Sequence, residues 1–305
     1  MLADKIKNFE TNILLYGITP PKKGTEADKI RDIADRQMAR LRSHDIDGLI
    51  LYDIQDEATR TDEERPFPFI ETLDPYDYAQ QHLSELAVPK IIYRAVGKYA
   101  PDELADFLNR ASPDQTLTVF VGAASRSQKV ALTLPKAYRL KQETGSELVL
   151  GGVTIPERHT SKGDEHLRVF EKVAQGCRFF VSQGVYDINA SKNLLSEYYY
   201  YGREQGIPLA PIIFTLTPCG SQKTLQFMKW LGISIPKWLE NELIHSPDTI
   251  DRSLEFCEQN WLELKRFADE KGIPIGCNVE SVAIRKVEVD ASIELLERVA
   301  RSMGR

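Results

Sequence analysis

The chain has little cysteine: Cys177, Cys219, Cys257 and Cys277 are its only four, spaced too widely for a CxxC or zinc pattern. The start of the chain, Met1–Glu10 (MLADKIKNFE), is too charged for the apolar segment of an export signal. Reduced, inert thiols in a cytoplasmic protein are therefore expected. No apolar run approaches the ~18–20 residues of a membrane span, so no membrane partner is expected. Positive charge is also short, with 39 Lys and Arg against 45 Asp and Glu for a net charge of −6. That balance argues against nucleic acid, which needs a basic surface to collect its phosphates. The five histidines show no HxH or HxxxH spacing, which removes a metal centre. GxSxG and GxGxxG are both missing, so a serine hydrolase and a dinucleotide-binding open sheet lose their signatures.

What is present is a repeated alternation. Short runs rich in Val, Ile, Leu, Tyr and Phe occur at Asn12–Ile18, Gly48–Ile54, Lys90–Val96 and Thr116–Gly122. They recur at Glu147–Val153, Cys177–Gln183, Pro208–Leu216 and Ile273–Val279. None alternates cleanly between apolar and polar, as expected of strands buried on both faces. Amphipathic stretches follow them: Ala27–Arg42, Tyr76–Leu86, Pro101–Ala111, Ser127–Glu143, Asp164–Ala174 and Ala190–Gln205. After the seventh strand come Ser221–Leu231, Pro236–His245 and Asp248–Lys271, and Val289–Met303 closes the chain. Eight strands alternating with helices in 305 residues predict an α/β fold, one (β/α)8 TIM barrel over residues 1–305 with extra helices after strand seven.

In such a barrel, chemistry gathers where the strands end. Strand one ends in Gly17-Ile18-Thr19-Pro20-Pro21, and strand two runs into an acidic, arginine-containing loop with Asp56, Glu57 and Arg65-Pro66. Strand four ends at Gly122 and continues to Arg126, and strand five leads to Glu157 and His159. Strand six ends in Gln183-Gly184-Val185-Tyr186-Asp187, strand seven in Thr215-Leu216-Thr217, and strand eight in Asn278-Val279-Glu280. Gln183 ends an apolar strand, where a buried amide needs partners for both its donor and its acceptor. Glu280 follows IGCNV, so its carboxyl must reach the pocket, be paired, or hold its proton. The set suits a flat polar ligand held through amides and carboxylates.

Several segments together resemble the methylenetetrahydrofolate reductases. These are Tyr16-Gly17-Ile18-Thr19-Pro20-Pro21, Val181-Ser182-Gln183-Gly184-Val185-Tyr186-Asp187, and Gly232-Ile233-Ser234-Ile235-Pro236-Lys237-Trp238-Leu239. The acidic loop leading to Arg65-Pro66 and the acid at Glu280 are similar to a flavin-independent branch of the same family. The resemblance implies a cytoplasmic oxidoreductase of one-carbon metabolism. It would move hydride from NADH or NADPH to 5,10-methylenetetrahydrofolate and give 5-methyltetrahydrofolate. It implies Gln183, Tyr186, Thr19 and Thr217 as folate-binding residues, and Gly122, Arg126 and His159 on the cofactor side. The family's strand-one acid is Gly17 here, and its strand-four Arg-Gly-Asp is Val121-Gly122-Ala123. Glu57, Glu280 and Asp56 are then the candidates for the missing acid, and FAD is left open. The alternative is a folate-binding or methyl-transfer protein of the same fold without reductase activity, acting as a homo-oligomer or with a partner subunit.

Overall fold

In the computed structural model, which describes residues 1–57, 61–123, 128 and 130–305, eight parallel strands close into a barrel in the order of the sequence. They are β1 (Ile13–Ile18), β2 (Gly48–Leu51), β3 (Lys90–Ala95), β4 (Thr116–Val121), β5 (Val149–Thr154), β6 (Cys177–Gly184), β7 (Ile212–Leu216) and β8 (Ile275–Glu280). All eight apolar runs became strands, and β1 pairs with β8 to complete the ring. The expected (β/α)8 architecture is therefore the observed one.

The helices are α1 (Leu2–Lys7), α2 (Ala27–Leu41), α3 (Pro75–His82), α4 (Pro101–Arg110), α5 (Leu134–Thr144), α6 (Pro156–Lys162), α7 (Glu165–Ala174), α8 (Ile188–Gln205), α9 (Gln222–Trp230), α10 (Lys237–His245), α11 (Thr249–Asp269) and α12 (Lys286–Ser302). Three of them, α9 to α11, lie between β7 and β8, as the sequence suggested. The start of the expected helix at Ser127 lies outside the described residues, and the helix observed starts at Leu134, after an extended Thr133, because Pro135 in the first turn lacks an N–H and favours a helix start. Two helices were not foreseen. In α6, about two polar turns are begun by Pro156 and stopped by Gly163 in the left-handed region (φ 69°). A helix of this length buries too little to leave a periodic signal.

The other unforeseen helix, α1, closes the end of the barrel opposite the candidate site. Its Leu2 and Ile6 pack beneath Ile13, Leu15, Ile50, Ile91, Leu117, Phe179 and Ile213, the side chains that fill the barrel interior. A glycine makes that filling possible at one point. A Cβ at Gly151 would sit 2.5 Å from the Phe179 ring, so the bare strand gives the phenyl group its space. A second, larger cluster lies between the outer faces of the strands and the helices, with Trp261, Phe120, Phe180, Phe214 and Tyr198 among its members.

The closed end is pinned by Asp47, just before β2. Its carboxylate accepts from the Leu14 backbone N–H (2.8 Å), the Lys5 ammonium (2.7 Å) and the Arg305 guanidinium (2.6 Å). These donors hold its pKa below the usual carboxylate range despite the burial that pushes it up. Because the folded-state pKa is depressed, this stabilisation is present above the ordinary carboxylate pKa and is lost as pH falls toward the folded value. Asp47→Ala should cost about 1–3 kcal/mol, chiefly by orphaning the Leu14 N–H and two cations. Urea denaturation at pH 7 checks this, and the difference from wild type should shrink in acid.

Candidate functional site at the open end of the barrel

Side chains that point inward from the last residues of the strands form the floor of the mouth. The β1–β8 register sets Gly17 directly beside Glu280, and Leu15 beside Asn278. Strand alternation then turns Asn278 and Glu280 to the same, inner face. Asn278 Nδ2 donates to the Tyr52 hydroxyl (2.9 Å) and to Thr215 Oγ1 (3.2 Å), joining the ends of β8, β2 and β7. The Tyr52 ring stands edge-on to Tyr93, with centroids 4.9 Å apart. Glu280 rises from this polar floor. Burial pushes its carboxyl up to about 7, against the opposing pull of the Tyr52 hydroxyl and the Asn278 amide, which favour the ionised form. A carboxyl with that pKa is present in both protonation states near neutrality, as a proton donor or acceptor requires.

Strand six contributes Gln183, whose Nε2 donates to the Leu231 carbonyl at the end of α9 (2.7 Å). That bond fixes the orientation of the amide. Tyr186 and Thr217 are placed differently. The Tyr186 ring is fully buried, and its hydroxyl donates to the Thr217 carbonyl (2.7 Å) beside Ser253 and Cys257 of α11. Thr217 Oγ1 in turn accepts from the Val282 N–H (3.3 Å). These two residues tie the loops after β7 and β8 to α11, while Thr19 is exposed just beyond β1. Gln183 and Glu280 thus share the open end of the barrel, with Tyr186 supporting it from behind.

Beyond β2 the described residues form no helix before Asp74, and their contacts reach across the mouth. At the start of this loop, Asp53 is buried and accepts from the Ala95 N–H and the Tyr99 hydroxyl (2.8 Å each), with Lys98 alongside. Gln55 Nε2 donates to the Gly122 carbonyl at the end of β4 (3.1 Å). Farther along, the Glu63 carbonyl accepts from Trp230 Nε1 of α9 (3.0 Å), and the Arg65 guanidinium lies 4.8 Å from the Trp230 ring centroid. Phe67 meets Phe227 edge-on at 5.2 Å. The loop returns beside β1, where Lys22 pairs with Thr72. A cleft of about 560 Å³ opens where it meets α9, lined by Glu64, Arg65, Pro66, Gln222, Lys223 and Gln226. Asp56 is exposed and Glu57 half-buried in the first part of this loop.

Two of the three cofactor-side candidates lie among the described residues. Gly122 offers its carbonyl to Gln55, and Arg126 lies outside the described residues. His159 is buried in α6, against His166 (5.3 Å between ring centroids), which in turn meets Tyr201 of α8. That packing sets its ring against α7 and, through His166, α8. Tyr52, Asn278 and Thr215 were not singled out from the sequence. Their signal was there in the inward-facing polar residues within otherwise apolar strands. Glu157 is a further buried carboxyl, pushed up to about 7 by burial and by the charges of Asp187 and Glu165.

Raised carboxyl pKa values make stability depend on pH with a definite sign. The folded protein holds the Glu280 proton more tightly than the unfolded chain. The stabilisation present below about 4.5 is therefore lost as pH rises toward about 7. Glu157 contributes a slope of the same sign. Glu280→Gln should remove the share due to Glu280, gaining on the order of 2–3 kcal/mol over wild type between pH 5 and pH 8. Parallel denaturant titrations of the two proteins at the two pH values measure this difference, and equal slopes would refute a desolvated Glu280.

No protein-family model matches the chain, and none of the curated proteins does. Among solved structures, an uncharacterized protein from Clostridium thermocellum that binds two copies of 5-methyl-5,6,7,8-tetrahydrofolic acid superposes with a TM-score of 0.89. The two sequences are 49% identical, with 99% of this chain and 100% of that one covered. A 7,8-dihydropteroate synthase from Vibrio fischeri (9% identity, 97% and 95% covered) and a 2,3-dimethylmalate lyase (12%, 99% and 95% covered) reach TM-scores of only 0.46, too low to carry an argument. At 49% identity over nearly the whole of both chains, the protein belongs to the same family as the folate-binding protein of Clostridium thermocellum.

Proposed function

We propose that this protein binds a reduced folate at the open end of its barrel and acts on the one-carbon unit the folate carries. The observation that carries this reading is the 49% identical relative that binds 5-methyltetrahydrofolate. The mouth supplies matching chemistry: a polar floor, an amide held by Leu231, and a carboxyl poised near neutrality.

In its fuller form, the proposal is a methylenetetrahydrofolate reductase-type reaction with NADH or NADPH as hydride donor. Opening the five-membered ring breaks the bond between the methylene carbon and N10, and N10 takes a proton. Hydride then adds to the methylene carbon, leaving a methyl group on N5 and oxidised nicotinamide. The chain's part is to orient the pterin through Gln183 and to supply the proton from Glu280. Glu280 suits this better than Asp56 or Glu57, because it stands on the barrel floor next to the bare strand-one position, whereas Asp56 is exposed. The reading routes no step through a flavin.

A second reading, a folate-binding or methyl-transfer protein, is favoured by the relative's ligand. 5-Methyltetrahydrofolate is the product of the reduction and also a methyl donor. Two measurements separate the readings. Calorimetry with 5-methyltetrahydrofolate should show binding under both, weakened by about 1–3 kcal/mol in Gln183→Ala, since that change removes partners from a buried polar ligand. Oxidation of NADH or NADPH dependent on methylenetetrahydrofolate should appear only with a reductase, and Glu280→Gln should slow it ~10²–10⁴-fold. Tight folate binding without any such oxidation would leave the second reading standing, and no folate binding at all would overturn both.

A further inference from the structure

The residue opposite Glu280 has no side chain, and the space it leaves is filled. A Cβ built on Gly17 would lie 2.8 Å from Tyr52 Cε2, 3.0 Å from the Tyr52 hydroxyl and 3.2 Å from Glu280 Cβ. The first distance is shorter than real carbon atoms allow, and the obstacle is a ring already held edge-on by Tyr93. Any larger residue at position 17 therefore displaces Tyr52. The same point in space touches both the tyrosine hydroxyl and the glutamate, so these two side chains converge above the bare strand.

The hydrogen bonds add a direction. Asn278 Nδ2 donates to the Tyr52 hydroxyl oxygen and Thr215 Oγ1, and the same amide favours the ionised Glu280. In this orientation the one amide atom left buried without a partner is the acceptor Oδ1. The reverse orientation would instead bury an N–H donor pair without acceptors, the costlier arrangement. Since the Tyr52 oxygen accepts from Asn278, its own proton is left to point elsewhere, and the carboxylate above Gly17 is the acceptor nearby. Among the described residues, the ionisable groups that feel the Glu280 charge are Tyr16 of β1, Tyr52 after β2 and Tyr93 of β3. No cation among the described residues is one of its perturbing partners.

We propose that Gly17, Tyr52 and Asn278 form a positioning unit for Glu280, in which the bare strand-one position seats the tyrosine so that its hydroxyl donates to one carboxyl oxygen and leaves the other to face the mouth. With one oxygen engaged as an acceptor, the carboxyl proton resides on the other, where a ligand atom can take it. Tyr52 is a positioning residue here, not a catalytic one. Its bearing on folate chemistry rests on the function proposed above, but the unit itself exists in the ligand-free protein.

The test is an infrared titration of ligand-free protein, following the carboxyl C=O band that disappears in Glu280→Gln. Tyr52→Phe removes the donor to the carboxylate and should raise the Glu280 midpoint by about one pH unit. Gly17→Ala should raise it in the same sense by pushing the ring aside. The double variant should move it no further than Tyr52→Phe alone, because both changes act through one hydroxyl. Circular dichroism identifies a variant that fails to fold, and the remaining one then carries the test. An unchanged midpoint in a folded Tyr52→Phe or Gly17→Ala protein would overturn the proposal. Because no folate is present, a failure of folate binding leaves this result intact, and folate binding with an unmoved midpoint sinks only the positioning unit.

Discussion

The pairing of β1 with β8 is the constraint on which the molecule depends, since it turns a curved sheet into a ring. Parallel strands carry their hydrogen bonds to both neighbours, and an unclosed edge on either of these two strands would leave a row of unpaired N–H and C=O groups. The ring also brings Leu15 to Asn278 and Gly17 to Glu280, residues that stand at opposite ends of the sequence. Both the floor of the mouth and the interior packing below it follow from this register. A slip of one residue would send Glu280 out among the helices and bring Val279 into the mouth.

The two ends of the barrel divide the labour of stability and chemistry. At the closed end, α1 seals the interior with Leu2 and Ile6, and Asp47 gathers a backbone N–H, a lysine and an arginine. Every one of those charges is matched. At the open end the opposite holds: the carboxyls of Glu280 and Glu157 are raised by burial that their surroundings do not offset. Unmatched desolvation costs stability, and proteins retain it mainly where a proton has to move or a ligand completes the site.

Much of the architecture was legible in the residues because its signal is local. Eight apolar runs separated by amphipathic stretches define the strands, and Gln183 and Glu280 stood out as polar groups ending apolar strands. The short helices α1 and α6 escaped, since six or seven residues carry too little periodicity to register. The placement of Tyr186 and His159 escaped for another reason. Each ring is buried against a helix, His159 on His166 and Tyr186 on Phe256, and the face a side chain takes just past a strand end depends on tertiary packing. The meaning of Gly17 was the least legible. In the sequence it is a missing acid, whereas in three dimensions it is the space occupied by a tyrosine just past the next strand.

The four cysteines, noted first for their scarcity, have a consequence of their own. All are buried, Cys177 on β6, Cys277 on β8, and Cys219 and Cys257 in the layer around Tyr186. Burial pushes every one of these thiols above its ordinary range, so the reactive thiolate is scarce and shielded in the native state. An alkylating reagent in solution therefore reaches them only when the wall opens. The chain thus carries four built-in clocks on the β6–β8 side of the ring, which record how often that sector comes apart.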